Sequence, residues 1–207
     1  MKKEIGAAAA AALMLVMLGG CATQEDIVPV PYAAVGGSQI GNGTPVAVVV
    51  EDARTEDRTR ISNKINGYGM EMAAIRANRA ISDIVRDAME AELRSRGFAI
   101  GAGGPSAKLA VNRFYASFKQ NLFSGDAVSE VKLHVVVVSP SGQTQYERQV
   151  DVEGVAAKIM IASGSNAATA LSDGMTKAFR TLFDDPAFVA ALTKSGATAS
   201  VSARPNS

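Results

Sequence analysis

Two stretches of the chain repeat apolar residues at helical spacing. From Asn78 to Gly97 the residues Ile81, Ile84, Val85, Ala88 and Leu93 form one stripe, with Met89 at its edge, as in a helix that buries one face. Asn78 is placed to cap its start and Gly97 to end it in the left-handed conformation. Arg86 with Glu90, Glu90 with Arg94, and Glu92 with Arg96 fall at i, i+4 on the face read as solvated. A second stripe of Ala168, Leu171, Met175, Phe179 and Leu182 follows Ser163-Gly164-Ser165-Asn166, and a further turn or two starts at Asp185-Pro186. Gly174 within that stripe costs about 1 kcal/mol against Ala, which points to close approach to a neighbouring sheet.

Elsewhere the period is two. Pro45 to Val50 is an apolar run of the kind buried on both faces as an interior strand, and Phe98 to Ile100 is a short strand. Lys108–Lys119, Val128–Ser139 and Gln143–Glu153 are strand-like, with a hairpin turn at Pro140-Ser141-Gly142. Val131, Leu133, Val135 and Val137 point one way and Glu130, Lys132 and His134 the other, so one sheet face is wet. Residues 155–162 fit either a strand continuation or a crossover packed on the core. The order predicts an α+β fold: a two-layer domain over residues 45–194, with a mostly antiparallel sheet of about five strands and two helices packed on one face.

Glu51 to Arg60 interrupts the pattern with seven charged residues. Mixed charge of this density is costly to bury, so the segment reads as an exposed loop, continued by the turn Asn66-Gly67-Tyr68-Gly69. Asp52, Arg54, Asp57 and Arg58 are its candidates for docking a partner.

The chain begins with Lys2 and Lys3, an apolar run from Ile5 to Leu18, and Gly19-Gly20. This is a secretory signal over residues 1–20, shorter than the roughly 20 apolar residues a spanning helix needs. Leu18-Gly19-Gly20-Cys21 resembles the bacterial lipobox. The resemblance implies cleavage between Gly20 and Cys21, with acyl chains on Cys21 that attach the protein to a lipid bilayer. Ala22 stands where an Asp favours inner-membrane retention in similar lipoproteins, so the expected location is the outer membrane, facing the periplasm. Residues 21–44, with Pro29, Pro31, Gly36, Gly37, Gly41 and Gly43, read as the acylated cysteine and a flexible tether; residues 195–207 read as a disordered tail.

Loss of Lys2, Lys3 and Glu4 with the signal leaves nineteen basic and nineteen acidic residues. That balance offers no footprint for nucleic acid. Cys21 is the only cysteine and His134 the only histidine, so no disulfide and no usual Cys/His zinc set is expected. Gly101 to Pro105 precedes a strand, whereas a phosphate cradle needs a helix after its glycines. No catalytic residue and no cofactor is assigned.

Val48-Val49-Val50-Glu51-Asp52-Ala53-Arg54, the helix end Leu93-Arg94-Ser95-Arg96-Gly97-Phe98, Val152-Glu153-Gly154 and the lipobox together resemble the YajG family of uncharacterised bacterial lipoproteins over about residues 45–193. That resemblance implies an outer-membrane lipoprotein without an assigned activity. The expected role is a non-enzymatic binding or assembly accessory in the envelope, meeting an envelope protein or a cell-wall component. The alternative is an envelope hydrolase acting on peptidoglycan fragments, for which Asp52 and Asp57 are the available carboxylates.

Overall fold

The computed structural model describes residues 24–55, 57–120 and 125–193. The segment read as a signal, the expected Gly20–Cys21 cleavage site with its acylated cysteine, and the segment read as a tail lie outside them. Among the described residues eight strands and three helices follow in order: β1 (Asp26–Val28), β2 (Pro45–Asp52), β3 (Arg60–Ile65), β4 (Glu71–Ala77), α1 (Ile81–Ser95), β5 (Ala99–Ile100), β6 (Ser106–Gln120), β7 (Gly125–Val138), β8 (Thr144–Ile159), α2 (Gly164–Phe183) and α3 (Pro186–Thr193).

The main sheet has the order β5-β2-β6-β7-β8. Its long ladders, β6 with β7 and β7 with β8, are antiparallel, while β2 runs parallel to both neighbours. α1 packs on β2 and β5, and α2 on β7 and β8, so both helices cover one face of a curled sheet. Phe114, Leu133, Leu93, Met89, Leu171, Met175 and Phe179 fill the space between the layers. The opposite face is the wet one, crossed by ion pairs of Lys132 with Asp151 at 2.8 Å and Arg113 with Glu130 at 3.1 Å. Val49 of β2 opens onto this side and is 52% exposed, so the strand expected to be buried on both faces is buried on one.

β6 holds its buried alternation through a bulge. Ala107, Leu109 and Val111 are buried, then Phe114 and Ala116, because the register with β7 slips between Val111 and Arg113. Residues 155–162 resolve as strand through Ile159. Gly174 makes the expected close approach. A Cβ there would lie 2.7 Å from Val131 Cγ2, and one at Gly154 of β8 would lie 2.1 Å from the Ala170 carbonyl oxygen. The Ser129 hydroxyl sits in the same gap, donating to Ala170 O at 2.7 Å and accepting from Gly154 N at 3.2 Å.

Three more expectations are corrected. Part of the segment read as loop is a hairpin, β3 and β4, joined by β1 into a second sheet of order β1-β4-β3. Bulges between Arg60 and Ser62 and between Lys64 and Ile65 interrupt its alternation, which hides the strands from a period-two search. The segment read as a tether is held on the domain from Gln24 onward: Lys64 Nζ donates to Gln24 O at 2.8 Å, β1 pairs with β4, and Val30 is buried. Helix α1 starts at Ile81 with Ala80 as its cap and no side-chain cap, while Asn78 N donates to Val28 O at 3.0 Å.

Candidate functional site

The segment from Tyr32 to Gly43 lies along the end of α1 and completes it. The last turn of a helix leaves carbonyls without partners, and here outside donors reach them. Gln39 Nε2 donates to Ser95 O at 2.8 Å, Ile40 N and Gly41 N to Arg96 O at 3.0 and 2.9 Å, and Gly43 N to Gly97 O at 2.7 Å. Gly41 is demanded by this approach, since a Cβ there would sit 2.4 Å from Phe98 N. Gly97 takes the expected left-handed conformation at φ +83°.

This packing buries the Glu92–Arg96 pair, which was expected on the solvated face. Glu92 is 1% exposed and Arg96 8%. Glu92 Oε1 accepts from the Tyr32 hydroxyl in a short bond and from Val35 N at 2.7 Å, while Oε2 accepts from Arg96 Nη1 at 2.8 Å. The Arg96 guanidinium lies 4.2 Å above the Phe183 ring, and a Cβ on Gly37 would come within 3.2 Å of its Cζ. Burial, then the hydrogen bond to Glu92, push the Tyr32 phenol far above its ordinary pKa. Three donors, one of them the Arg96 guanidinium, thus converge on the carboxylate where it is buried.

Beside this pair opens a cleft of about 640 Å³ between the 35–40 segment and the C-terminal ends of α1 and α2, closed on the far side by α3. Its walls include Ile40, Phe183 and Val189, its charged lining Glu92, Arg96, Arg180 and Asp184. Two acids face two arginines, so the lining is neutral overall. The signal for it was in the sequence: Val85, Met89, Glu92 and Arg96 fall at steps of four, three and four, which continues the buried stripe through an acid and a base.

The docking candidates are divided by the structure. Arg54 is buried. Its Nε and Nη2 donate to Asp52 at 2.8 and 2.7 Å, and its Nη1 to the carbonyls of Arg60 at 3.2 Å and Phe114 at 3.3 Å. β2 stops at Asp52, which leaves the second half of β6 with an open edge, and Arg54 and the Ser62 hydroxyl (2.7 Å to Ala116 O) supply donors there. Burial raises the Asp52 pKa, but the Arg54 hydrogen bonds and charge outweigh it, leaving the carboxyl below its ordinary value. Asp57 and Arg58 are exposed. Asp57 accepts from Arg76 in a short bond and from Thr59, and these bonds hold its carboxyl far below the usual range. His134 stands on the wet face with Nε2 2.9 Å from Glu147. Among the described residues no three His, Cys, Asp or Glu side chains gather as metal ligands would.

Fold and site together define an α+β domain whose helices share one face of a curled sheet and whose N-terminal segment caps a helix beside a cleft. Over residues 31–193 the chain matches the family described as uncharacterized lipoprotein, and it belongs to that family, the YajG-type lipoproteins. Comparison with curated proteins found no match. A crystal structure of a Xanthomonas campestris protein has TM-score 0.58 at 13% identity, covering 79% of this chain and 95% of that one, which shows a shared fold. An uncharacterized protein (TM-score 0.48, 13% identity, 75% and 93% covered) and a minor lipoprotein from Acinetobacter baumannii (TM-score 0.38, 8% identity, 67% and 91% covered) are more distant.

Proposed function

We propose that this lipoprotein is anchored in the outer membrane through acylated Cys21, faces the periplasm, and acts as a non-enzymatic binding or assembly accessory whose partner enters the cleft beside Arg96. The observation that carries this reading is the cleft itself: apolar walls around a charge-balanced floor at the α2 C-terminus. β1 meets the other end of that helix, where Gly164 N donates to Asp26 Oδ2 at 3.2 Å. Twenty helical residues separate the two ends, about 30 Å, so the cleft lies at the far end of α2 from Asp26. A neutral lining with Phe183 and Val189 suits a peptide segment that offers an apolar side chain, and suits a polyanion poorly. A hydrolase working through this carboxylate pair would need one of the two with a raised pKa to act as the acid, and both Asp52 and Asp57 are lowered.

A photoreactive side chain at Val189 in intact cells is expected to crosslink an envelope protein, and Arg180→Glu to diminish the adduct. Adducts from position 58 and none from position 189 would move the partner to the charged loop. Separation of inner from outer membranes tests the location, with Ala22→Asp expected to shift the protein inward.

A further inference from the structure

The small sheet presents apolar side chains to solvent at the place where the chain leaves for Cys21. Tyr68 is 91% exposed, Ile27 69% and Met70 57%, and Met72 is exposed beside them. Ile27 of β1 is paired with Arg76 of β4, and Met72, at the bulge next to the turn, has its sulfur 3.6 Å from Asn66 Nδ2. The turn carrying Tyr68 and Met70 is rigidly held. Asn66 Oδ1 accepts from Tyr68 N at 2.9 Å and Met70 N at 3.0 Å, Asn66 N donates to Met70 O at 2.9 Å, and Gly69 N donates to Asn66 O at 2.9 Å. A turn ordered by the Asn66 side chain and its own backbone holds Tyr68 and Met70 in water.

The anchor supplies the occupant. Gln24 is fastened to this same sheet by Lys64, which also pairs with Asp26 at 2.8 Å, and Lys64 stands opposite Ala73 of β4. Cys21 is three positions before Gln24, a reach of at most about 11 Å whatever path the backbone takes. Met70 is three residues from Ala73, so the turn and the lipidated cysteine are at similar reach from one point on the sheet. With the long tether gone, an acylated Cys21 brings this face to the membrane surface. We propose that the β3–β4 turn, through Tyr68 and Met70 with Ile27 and Met72 behind them, seats in the headgroup and upper acyl region of the bilayer and fixes the domain with its cleft pointing away. A Tyr at the tip suits that zone, where an amphipathic ring has both apolar and hydrated neighbours. This inference rests on the acylation of Cys21 proposed above.

Acylation consumes the chain's only thiol, so the mature lipoprotein carrying Tyr68→Cys takes an environment-sensitive fluorophore at one place. Ser141→Cys, in the β7–β8 turn at the far end of β8, is the control. In vesicles of phosphatidylethanolamine and phosphatidylglycerol, the probe at 68 is expected to shift to shorter wavelength and to be quenched by doxyl-labelled acyl chains several-fold more than the probe at 141. Fatty-acid labelling of the same protein reports the anchor separately. Labelled protein with equal quenching at both positions overturns the seating and leaves the anchor standing; unlabelled protein overturns both. A blue shift at 68 without quenching by the labelled lipid means a protein surface covers the turn, and overturns the bilayer as occupant.

Discussion

The two ends of α2 use charge in opposite ways. At its N-terminus Arg76 bonds Glu25 at 2.9 Å and also Asp57, and Arg60 pairs with Glu71 at 3.2 Å, all at partly exposed positions, while Tyr68, Met70 and Ile27 face outward. At its C-terminus the ions Glu92 and Arg96 are inside, and Phe183 and Val189 line a cleft. Water compensates the first set of charges, so each pair adds little; nothing but the protein compensates the second. The cleft end therefore depends on a few exact partnerships, whereas the sheet end depends on backbone pairing and on what lies outside it.

The contrast is sharpest at Glu92. Glu92→Ala removes the acceptor for Tyr32 and Val35 and leaves Arg96 buried without its counter-charge, an expected loss of about 3 to 5 kcal/mol. Chemical denaturation of the soluble domain measures it, with Glu90→Ala on the same helix expected to cost only a few tenths of a kcal/mol. Similar losses at both positions would erase the distinction between inside and outside ions. Arg54 tests whether burial, and not location, sets the scale, because it is a buried ion nearer the sheet end. Arg54→Ala, which strips the donors from the Phe114 and Arg60 carbonyls and leaves Asp52 uncompensated, is expected to cost about 3 kcal/mol.

Asp52 carries the pH side of the same comparison. Its carboxyl is below the ordinary value in the folded state, so its contribution is present above about pH 4, the unfolded value, and is lost as pH falls through the folded one. Asp52→Asn should flatten the acid limb of a stability-against-pH curve; an unchanged limb would show that the Arg54 contact does not govern it. Gly154→Ala lies between the two ends and should cost about 1 to 3 kcal/mol, since the added Cβ meets backbone atoms of α2. Small again is Arg76→Ala, expected below about 1 kcal/mol by denaturation because its pairs are partly solvated. A loss as large as that of Glu92→Ala would show that the small sheet is held by charge after all.

The α+β order, both helix stripes, the three long strands, the wet face, the Gly174 approach and the Gly97 stop were legible from residues alone. Each follows from a local period or from a backbone preference acting over a few positions. The resemblance to the lipoprotein family was read in the same way, from short runs of neighbouring residues. The rest needed partners distant in sequence. Whether Tyr32 to Gly43 is loose or docked depends on carbonyls of α1 more than fifty residues away. Whether Arg54 faces water depends on where β2 ends beside β6. Glu92 and Arg96 follow the buried stripe, but charge alone places them outside, and only the Tyr32 hydroxyl, the Val35 amide and the Phe183 ring make it affordable to keep them in. Sequence fixes period and local conformation because those are near-neighbour effects; the environment of a charge is set by what the fold brings against it, and that decided both the cleft and the loss of the tether.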